Sequence, residues 1–138
     1  MPALDRDHVA VRNALVKDGW TITHDPLRLN YKKKRLYVDL GAERLVAAER
    51  GTEKIAVEIK TFGGASDVAD LEQATGQFMV YRSLLRRSDP ERTLVLAVPQ
   101  EALETVFEDA LGEILLEDSI LRVFSFDSER EEIVEWLP

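Results

Sequence analysis

Cysteine is absent from the 138 residues, and histidine occurs only twice, as His8 and His24. Without thiols the chain can form no disulfide framework, no thiolate nucleophile and no cysteine-ligated zinc or iron–sulfur site. The longest apolar run, Leu94–Val98, is far shorter than the ~20 residues that a membrane-spanning helix needs. Charged side chains interrupt the sequence from Asp5 onward, so we expect no signal peptide, no membrane association and a cytoplasmic location.

Basic residues are fewer than acidic ones, 18 against 26, and the formal net charge is −8 at pH 7. This total argues against nucleic-acid binding, but the charge is distributed unevenly. Residues 1–88 carry 15 Lys and Arg against 12 Asp and Glu, whereas residues 89–138 carry 3 against 14. The division predicts DNA as a partner of the first part and protein as a partner of the second. Uneven surface charge without functional meaning is the alternative.

Hydrophobic periodicity predicts one α/β domain over residues 1–138, with a mixed central sheet flanked by helices. A first helix is predicted from Leu4 to Asp18. Its inward face has helical spacing and consists of Leu4, His8, Val11 and Leu15. A second, longer helix is predicted to begin after the N-cap residue Ser66 and to end near Arg87.

Three extended stretches separate these two helices in the prediction. They are Trp20–Leu29 with a turn at Asp25-Pro26, Leu36–Leu40 continuing at Leu45–Glu49, and Lys54–Phe62. After the second helix, the continuously apolar Thr93–Val98 is typical of a strand that is buried on both faces.

The last third of the sequence predicts one more helix and a hairpin. The helix runs from Glu101 to Leu111, with Leu103, Val106, Phe107 and Ala110 facing inward. The hairpin strands are Leu121–Phe126 and Ile133–Leu137, joined by the polar turn Asp127-Ser128-Glu129-Arg130. The predicted order is therefore α-β-β-β-α-β, followed by an added helix and a C-terminal β-hairpin.

Glu58 and Lys60 are two positions apart in the clearest predicted strand, so their side chains lie on the same face. Asp39 lies on the preceding extended segment, which a turn at Gly51 folds back against that strand. In the register that sets Glu43 opposite Lys60, Asp39 and Glu58 share one face. A slip of one residue moves Asp39 to the opposite face, and the sequence leaves both registers open.

Two converging carboxylates supply the hard oxygen ligands that Mg²⁺ prefers, with Mn²⁺ as the alternative ion. A neighbouring lysine can orient or deprotonate a metal-bound water, or stabilise charge that develops on a phosphate. Asp39, Glu58 and Lys60 therefore predict a metal-dependent phosphodiester hydrolase in which Asp39 and Glu58 hold the ion. An exposed ion pair on a strand is the alternative interpretation of Glu58 and Lys60.

Asp39 and Glu58-x-Lys60, in this order of elements, resemble the PD-(D/E)xK nuclease superfamily. Longer segments over nearly the whole chain resemble the XisH family. These segments are Lys17–Pro26, Asp39–Glu43, Ile55–Lys60, Gly76–Phe78 with Tyr81, and Leu96–Pro99. The resemblance implies a restriction-endonuclease-like fold, control of the excision of a DNA element from cyanobacterial nitrogen-fixation genes, and a small partner protein, XisI.

Two functions are consistent with this resemblance. One is a Mg²⁺-dependent DNA endonuclease that acts in the excision or recombination of a DNA element. The other is a catalytically inactive, nuclease-like accessory subunit that binds an XisI-type protein and regulates a site-specific recombinase. A homodimer is expected in the first case, because cutting both strands of a duplex requires two sites.

Three further positions have supporting roles that the resemblance implies. Many nucleases of the superfamily carry a Glu on the first helix as an additional acid, and His8 occupies that place here. A histidine there would coordinate the ion or contact a phosphate, while a satisfied histidine on the buried stripe is the alternative. Gln77 and Tyr81 are neighbours on one helix face and are predicted to brace Lys60 or a DNA phosphate. The alternative interpretation of Gln77 and Tyr81 is an amphipathic pair at a helix–sheet boundary.

A basic run in the sequence is a weaker candidate for contact with DNA. Lys32, Lys33, Lys34 and Arg35 follow one another between two extended segments. Lysine and arginine side chains commonly bind phosphate oxygens, so this run is predicted to contact the DNA backbone. A solvated loop is the alternative.

Overall fold

The structure is a computed structural model that describes residues 3–29, 45–62, 66–107 and 110–137. The first half of the chain forms α1 (Ala3–Lys17), β1 (Thr21–His24), β2 (Leu45–Arg50), β3 (Glu53–Ile59) and α2 (Asp67–Ser88). The second half forms β4 (Arg92–Pro99), α3 (Gln100–Ala102), a π-helical segment (Leu103–Phe107), α4 (Ala110–Glu117), β5 (Val123–Asp127) and β6 (Glu132–Leu137). Within these ranges, the helices are too short or too polar to span a bilayer.

The six strands form one mixed sheet in sequence order, from β1 at one edge to β6 at the other. Strands β1, β2 and β3 are antiparallel neighbours, β4 is parallel to both β3 and β5, and β6 is antiparallel to β5. In the β2–β3 hairpin, Leu45 lies opposite Glu58 and Arg50 lies opposite Glu53. The pairing of Leu45 with Glu58 belongs to the register that sets Glu43 opposite Lys60, which is the first of the two registers that the sequence allows. Asp39 and Glu43 lie outside the described residues.

Helices cover both faces of the sheet because strand side chains alternate between two apolar clusters. On one face, α1 contributes Val11 and Leu15 to a buried cluster. On the other face, α2 and the π-helical segment contribute Phe78 and Phe107 to a second cluster. Strand β4 supplies side chains to both clusters, and the prediction of a strand buried on both faces is confirmed.

Helix α2 and its N-cap confirm the prediction. Ser66 has an extended backbone (φ −143°, ψ 121°), and its side-chain oxygen accepts a hydrogen bond from the Ala69 N–H at 3.2 Å. This bond satisfies one of the amide groups that a helix leaves open at its start. The buried face consists of Leu71, Ala74, Phe78, Tyr81 and Leu85.

Helix α1 confirms the predicted element and the inward positions Val11 and Leu15, but not the inward position of His8. Val11 and Leu15 are buried, whereas the His8 side chain is 31% exposed. The described buried positions of this helix are Asp7, Ala10, Val11, Ala14 and Leu15. A buried carboxylate therefore lies on the inward stripe, and hydrophobic periodicity misplaces the stripe because it assigns acidic residues to solvent.

The terminal hairpin and the strand boundaries are close to the prediction. Strand β1 ends at His24, just before the predicted turn at Asp25-Pro26. In the turn between β5 and β6, Asp127 Oδ1 accepts hydrogen bonds from the backbone N–H groups of Glu129 and Arg130 at 2.9 and 3.0 Å. These two bonds, that from Arg130 first, lower the pKa of Asp127. Leu36–Leu40 lies outside the described residues.

The predicted helix from residue 101 to 111 is wrong as a single element. Helix α3 leads into the π-helical segment, and α4 is a separate helix that continues to Glu117. Ala110, predicted to face the core, is exposed, whereas Gly112 is buried. A Cβ atom on Gly112 would lie 2.7 Å from the Phe107 Cα. Five residues of one continuous α-helix span ~7.5 Å along its axis, so an approach this close shows that α4 and the π-helical segment are two separate elements.

This close approach gives a stability prediction with a matched control. Gly112→Ala should lower the free energy of unfolding by about 1–3 kcal/mol, because its Cβ would meet the backbone of Val106 and Phe107. Gly76→Ala should raise it by about 0.5–1 kcal/mol, since Gly76 lies within α2 and has no atom within 4 Å of its Cβ position. Urea denaturation measures both changes, and equal effects would contradict the close approach at Gly112.

Candidate functional site

The end of β3 brings Glu58 and Lys60 together on one face of the sheet. Glu58 is 3% exposed and Lys60 is 8% exposed. Val57 and Ile59 belong to the cluster on the α1 side, so the alternation of the strand places Glu58 and Lys60 on the face that α2 covers. Charged side chains are rarely this deeply buried. The alternative interpretation of an exposed ion pair is therefore wrong.

Lys60 lies one residue beyond β3 and remains aligned with the sheet. Its N–H donates to the Ala97 carbonyl oxygen at 3.0 Å, which extends the parallel pairing with β4. Its Nζ lies 5.9 Å from the centre of the Phe62 ring. Phe62 packs edge-on against Phe107, with ring centroids 5.9 Å apart and an interplanar angle of 87°. The π-helical segment thus contributes to an aromatic wall beside the ammonium group.

Thr61 connects this strand end to α1. Its Oγ1 donates a hydrogen bond to Asp7 Oδ2 at 2.7 Å, and Asp7 is only 2% exposed. The acidic side chain that α1 places beside the end of β3 is therefore Asp7, one residue before the predicted His8. The sequence does contain a signal for Asp7, because it lies four positions before Val11 and the two residues therefore share one helix face.

His8 forms a small charged cluster with the residue that follows β1. Its Nε2 lies 2.8 Å from Asp25 Oδ1, and Arg12 Nε lies 3.1 Å from Asp25 Oδ2. The carboxylate of Asp25 thereby joins α1 to the end of β1. The alternative of a satisfied histidine is supported in part, because the ring has a partner in Asp25, although His8 lies at the margin of the buried stripe. Its predicted role as a metal ligand or phosphate contact stays a prediction.

Gln77 and Tyr81 lie on α2, which covers the same face of the sheet as Glu58 and Lys60. Tyr81 is 1% exposed and belongs to the core cluster, while Gln77 is half-buried. Their role in bracing Lys60 stays a prediction. The basic run Lys32, Lys33, Lys34 and Arg35 lies outside the described residues, as does Asp39.

Two further buried polar atoms lie just after β4 and on β5. Gln100 directly follows β4, and Ser125 pairs with Val98 near the end of β4. The Gln100 Oε1 and Ser125 Oγ atoms are buried without a hydrogen-bond partner among the described residues. Buried polar atoms normally have hydrogen-bond partners, so each of these two atoms is an acceptor still open within the described residues. The sequence contains no periodic signal for either residue.

The buried oxygen atoms near the carboxyl ends of β3 and β4 are of the chemical type that binds magnesium. The Glu58 carboxylate and the Gln100 amide oxygen are hard oxygen donors. Within the described ranges, no group of three or more His, Asp and Glu side chains converges to hold a metal ion. The second predicted carboxylate, Asp39, lies outside these ranges, so the complete ligand set stays a prediction.

The hydrogen bond between Thr61 and Asp7 gives the next stability prediction. Thr61→Val should lower the free energy of unfolding by about 1–3 kcal/mol, because the buried Asp7 carboxylate loses a donor. Thr75→Val is the control, since the Thr75 hydroxyl donates to the Leu71 carbonyl of its own helix; it should change stability by less than about 0.5 kcal/mol.

Chemical denaturation of the single and double variants measures the Thr61–Asp7 interaction directly. In an Asp7→Ala background, Thr61→Val should have little additional effect, because the acceptor has already been removed. An undiminished effect of Thr61→Val in that background would contradict the assignment.

Comparison with known proteins gives one family and two solved structures. The sequence pattern described as "XisH protein" matches residues 1–134. The structure is similar to that of an XisH family protein from Nostoc punctiforme, with a TM-score of 0.85, 38% identity, and coverage of 97% of this chain and 100% of that chain. It is equally similar, at a TM-score of 0.85, to an fdxN element excision controlling factor protein from Anabaena variabilis, which is 37% identical over 97% of this chain and 99% of that chain. No curated protein matches the chain.

Proposed function

This chain belongs to the XisH family, and we propose that it controls the excision of a DNA element as a Mg²⁺-dependent DNA endonuclease. In this proposal the mixed sheet is a restriction-endonuclease-like core of the PD-(D/E)xK type. The relative from Anabaena variabilis is described as an fdxN element excision controlling factor. The observation that carries the proposal is the joint burial of Glu58 and Lys60 at the end of β3.

Each residue of the proposed site has a defined role. Asp39 and Glu58 hold the ion, and Lys60 either accepts a proton from the attacking water or stabilises the charge that develops on the phosphate. Bound magnesium supplies activation of water and neutralisation of phosphate charge. The burial of Lys60 beside Phe62 and Phe107 lowers the local dielectric, which strengthens the attraction between the ammonium group and a phosphate.

The proposed DNA contacts extend beyond the reacting phosphate. Gln77 and Tyr81 support Lys60 from α2, and His8 contacts the ion or a phosphate next to the site. Lys32, Lys33, Lys34 and Arg35 bind the DNA backbone electrostatically. A homodimer would supply the second site that cleavage of both strands requires.

Nicking of supercoiled plasmid DNA with Mg²⁺ or Mn²⁺ tests the endonuclease proposal. Lys60→Ala, Glu58→Gln and Asp39→Ala should each lower the cleavage rate by about 10²-fold or more, because each removes a charged group from the site. Lys54→Ala is the matched control. Lys54 lies on the same face of β3 at its other end, half-exposed and 3.6 Å from a Glu91 oxygen. Its removal should change the rate by less than about twofold.

Equal cleavage by Lys60→Ala and Lys54→Ala would contradict the proposed site. Lack of metal-dependent cleavage of any DNA form, single-stranded, nicked or branched, would contradict the endonuclease function itself. Circular dichroism of each variant separates a loss of activity from a loss of fold.

A catalytically inactive accessory subunit that binds an XisI-type partner and regulates a site-specific recombinase is the second candidate. Exposed apolar side chains on α4 favour it, since Leu111 is 40% and Ile114 is 49% exposed. They neighbour the exposed acids Glu113 and Glu117, and apolar patches with polar rims are typical of protein interfaces. This candidate requires micromolar association with an XisI-type protein and normal excision by Lys60→Ala. Failure to associate would contradict it.

A further inference from the structure

A cavity lined by four arginines lies at the end of the sheet opposite Lys60. Its volume is about 320 Å³, and it lies between the C-terminal part of α2, the start of β4 and the segment that connects α4 to β5. The arginines are Arg82, Arg86, Arg92 and Arg122, and the described lining contains no Asp or Glu. Strand β4 leads from Arg92 at this cavity to Val98, which is level with Lys60, and these six steps span about 20 Å. The cavity is therefore separate from the candidate nuclease site.

Arg92 is already engaged by the protein. It is 8% exposed, its Nε donates to Asp89 Oδ2 at 3.0 Å, and its Nη1 donates to the Ile55 carbonyl oxygen at 2.9 Å. Its Nη2 lies 3.6 Å from Glu49 Oε1. These contacts hold β4 against its neighbours, so Arg92 is structural and the other three arginines are the candidate ligand-binding groups.

Arg82, Arg86 and Arg122 have no carboxylate partner within the part of the chain that the structure describes. Arg82 Nη1 contacts the carbonyl oxygens of Ser119 and Ile120 at 3.4 Å, and its guanidinium lies 5.9 Å from the Phe78 ring centre. These contacts keep Arg82 at the cavity wall with other N–H donors available. Arg86 and Arg122 are exposed and can move to meet a ligand.

Two of these positively charged residues lie in the strongly acidic part of the sequence. Residues 89–138 contain 3 Lys and Arg against 14 Asp and Glu, and two of those three, Arg92 and Arg122, line this cavity. Positive side chains around a concave surface focus the local electrostatic potential. The arrangement therefore favours a compact anion with more than one charge.

We propose that this cavity binds a terminal phosphate group, that of a nucleotide or of the end of a nucleic-acid strand. A terminal phosphate carries a charge of about −1.5 to −2 at pH 7 and offers three strong acceptor oxygens. The planar guanidinium group binds such oxygens through paired N–H donors. An internal phosphodiester has one charge and continues in two directions, which suits an open groove better than a cavity of this size.

A second, larger cleft continues from the cavity and can hold the rest of the ligand. It has a volume of about 730 Å³ and shares Thr93, Ser119 and Arg122 with the arginine cavity. Trp20 and Trp136 line it, and Trp136 is 40% exposed. Aromatic side chains of this kind stack on nucleic-acid bases. A nucleotide would place its phosphate on the arginines and its base toward the indole of Trp136.

Isothermal titration calorimetry of the full chain with AMP, pyrophosphate and adenosine tests this proposal. AMP and pyrophosphate should bind saturably, and adenosine, which lacks the phosphate, should not. Arg86→Gln and Arg122→Gln should each weaken AMP binding by about tenfold or more, because each removes charge-assisted hydrogen bonds. Arg87→Gln is the matched control. Arg87 is exposed in the same helical turn, donates to the Ser83 carbonyl and does not line the cavity.

Oligonucleotides distinguish the two sources of the phosphate. Tighter binding of a 5′-phosphorylated single strand than of its unphosphorylated twin, lost in Arg122→Gln, would assign the site to a strand end. Binding of AMP with no such preference would assign it to a free nucleotide. Failure of both AMP and pyrophosphate to bind would overturn the proposal, as would equal weakening by Arg87→Gln and Arg86→Gln. Preferential binding of a glutamate-rich peptide would overturn it in favour of a protein partner.

Discussion

The burial of a carboxylate and an ammonium group at the end of β3 is the constraint on which the rest of the structure depends. Glu58 and Lys60 are almost completely removed from solvent, and groups of this kind are tolerated inside a protein only where surrounding polar contacts are well placed. Strand β3 must therefore be held firmly on both sides. Parallel pairing with β4 on one side and the β2 hairpin on the other provide this support.

The helices complete the enclosure from the two faces of the sheet. Helix α2 and the π-helical segment cover the face that carries Lys60, and the contact between Phe62 and Phe107 closes the apolar surroundings of its ammonium group. On the opposite face, α1 reaches the same strand end through the hydrogen bond from Thr61 to Asp7. A π-helical segment is uncommon and is often found at functional sites. Here the π-helical segment lies beside the strand end that carries Lys60, which supports the assignment of the candidate site to this strand end.

The two ends of the parallel strands β3 and β4 have different chemistry. One end carries Glu58 and Lys60, and the other carries the arginine cavity within an otherwise acidic part of the sequence. The total charge of −8 therefore says little about ligands, because the relevant charges are grouped locally. The proposed nuclease site and the proposed phosphate site are both places where a negatively charged ligand meets positive side chains in a concave or buried setting.

Much of the fold follows from local sequence signals, while the sites depend on contacts that such signals do not report. Ser66, the apolar residues of β3 and the continuously apolar run of β4 predict their elements correctly, because capping and strand patterns act over a few residues. Asp7 was missed because an acidic residue interrupts the apolar stripe on which it lies. Gly112 lies against the backbone of Val106 and Phe107, a contact that a continuous helix does not make, so helical periodicity across this region misleads. The arginine cavity joins α2, β4 and the approach to β5, and no local pattern connects Arg82 with Arg122.

We propose that the end of β3 forms a metal-dependent, phosphodiester-cleaving site, and anomalous diffraction from a crystal soaked in Mn²⁺ would locate the ion. We expect an anomalous peak between Glu58 and Asp39, at roughly the 2.0–2.1 Å of a magnesium–oxygen bond from their carboxylate oxygens. The peak should disappear in a Glu58→Gln crystal. Absence of a peak at this strand end in an otherwise well-ordered, Mn²⁺-saturated crystal would contradict the claim.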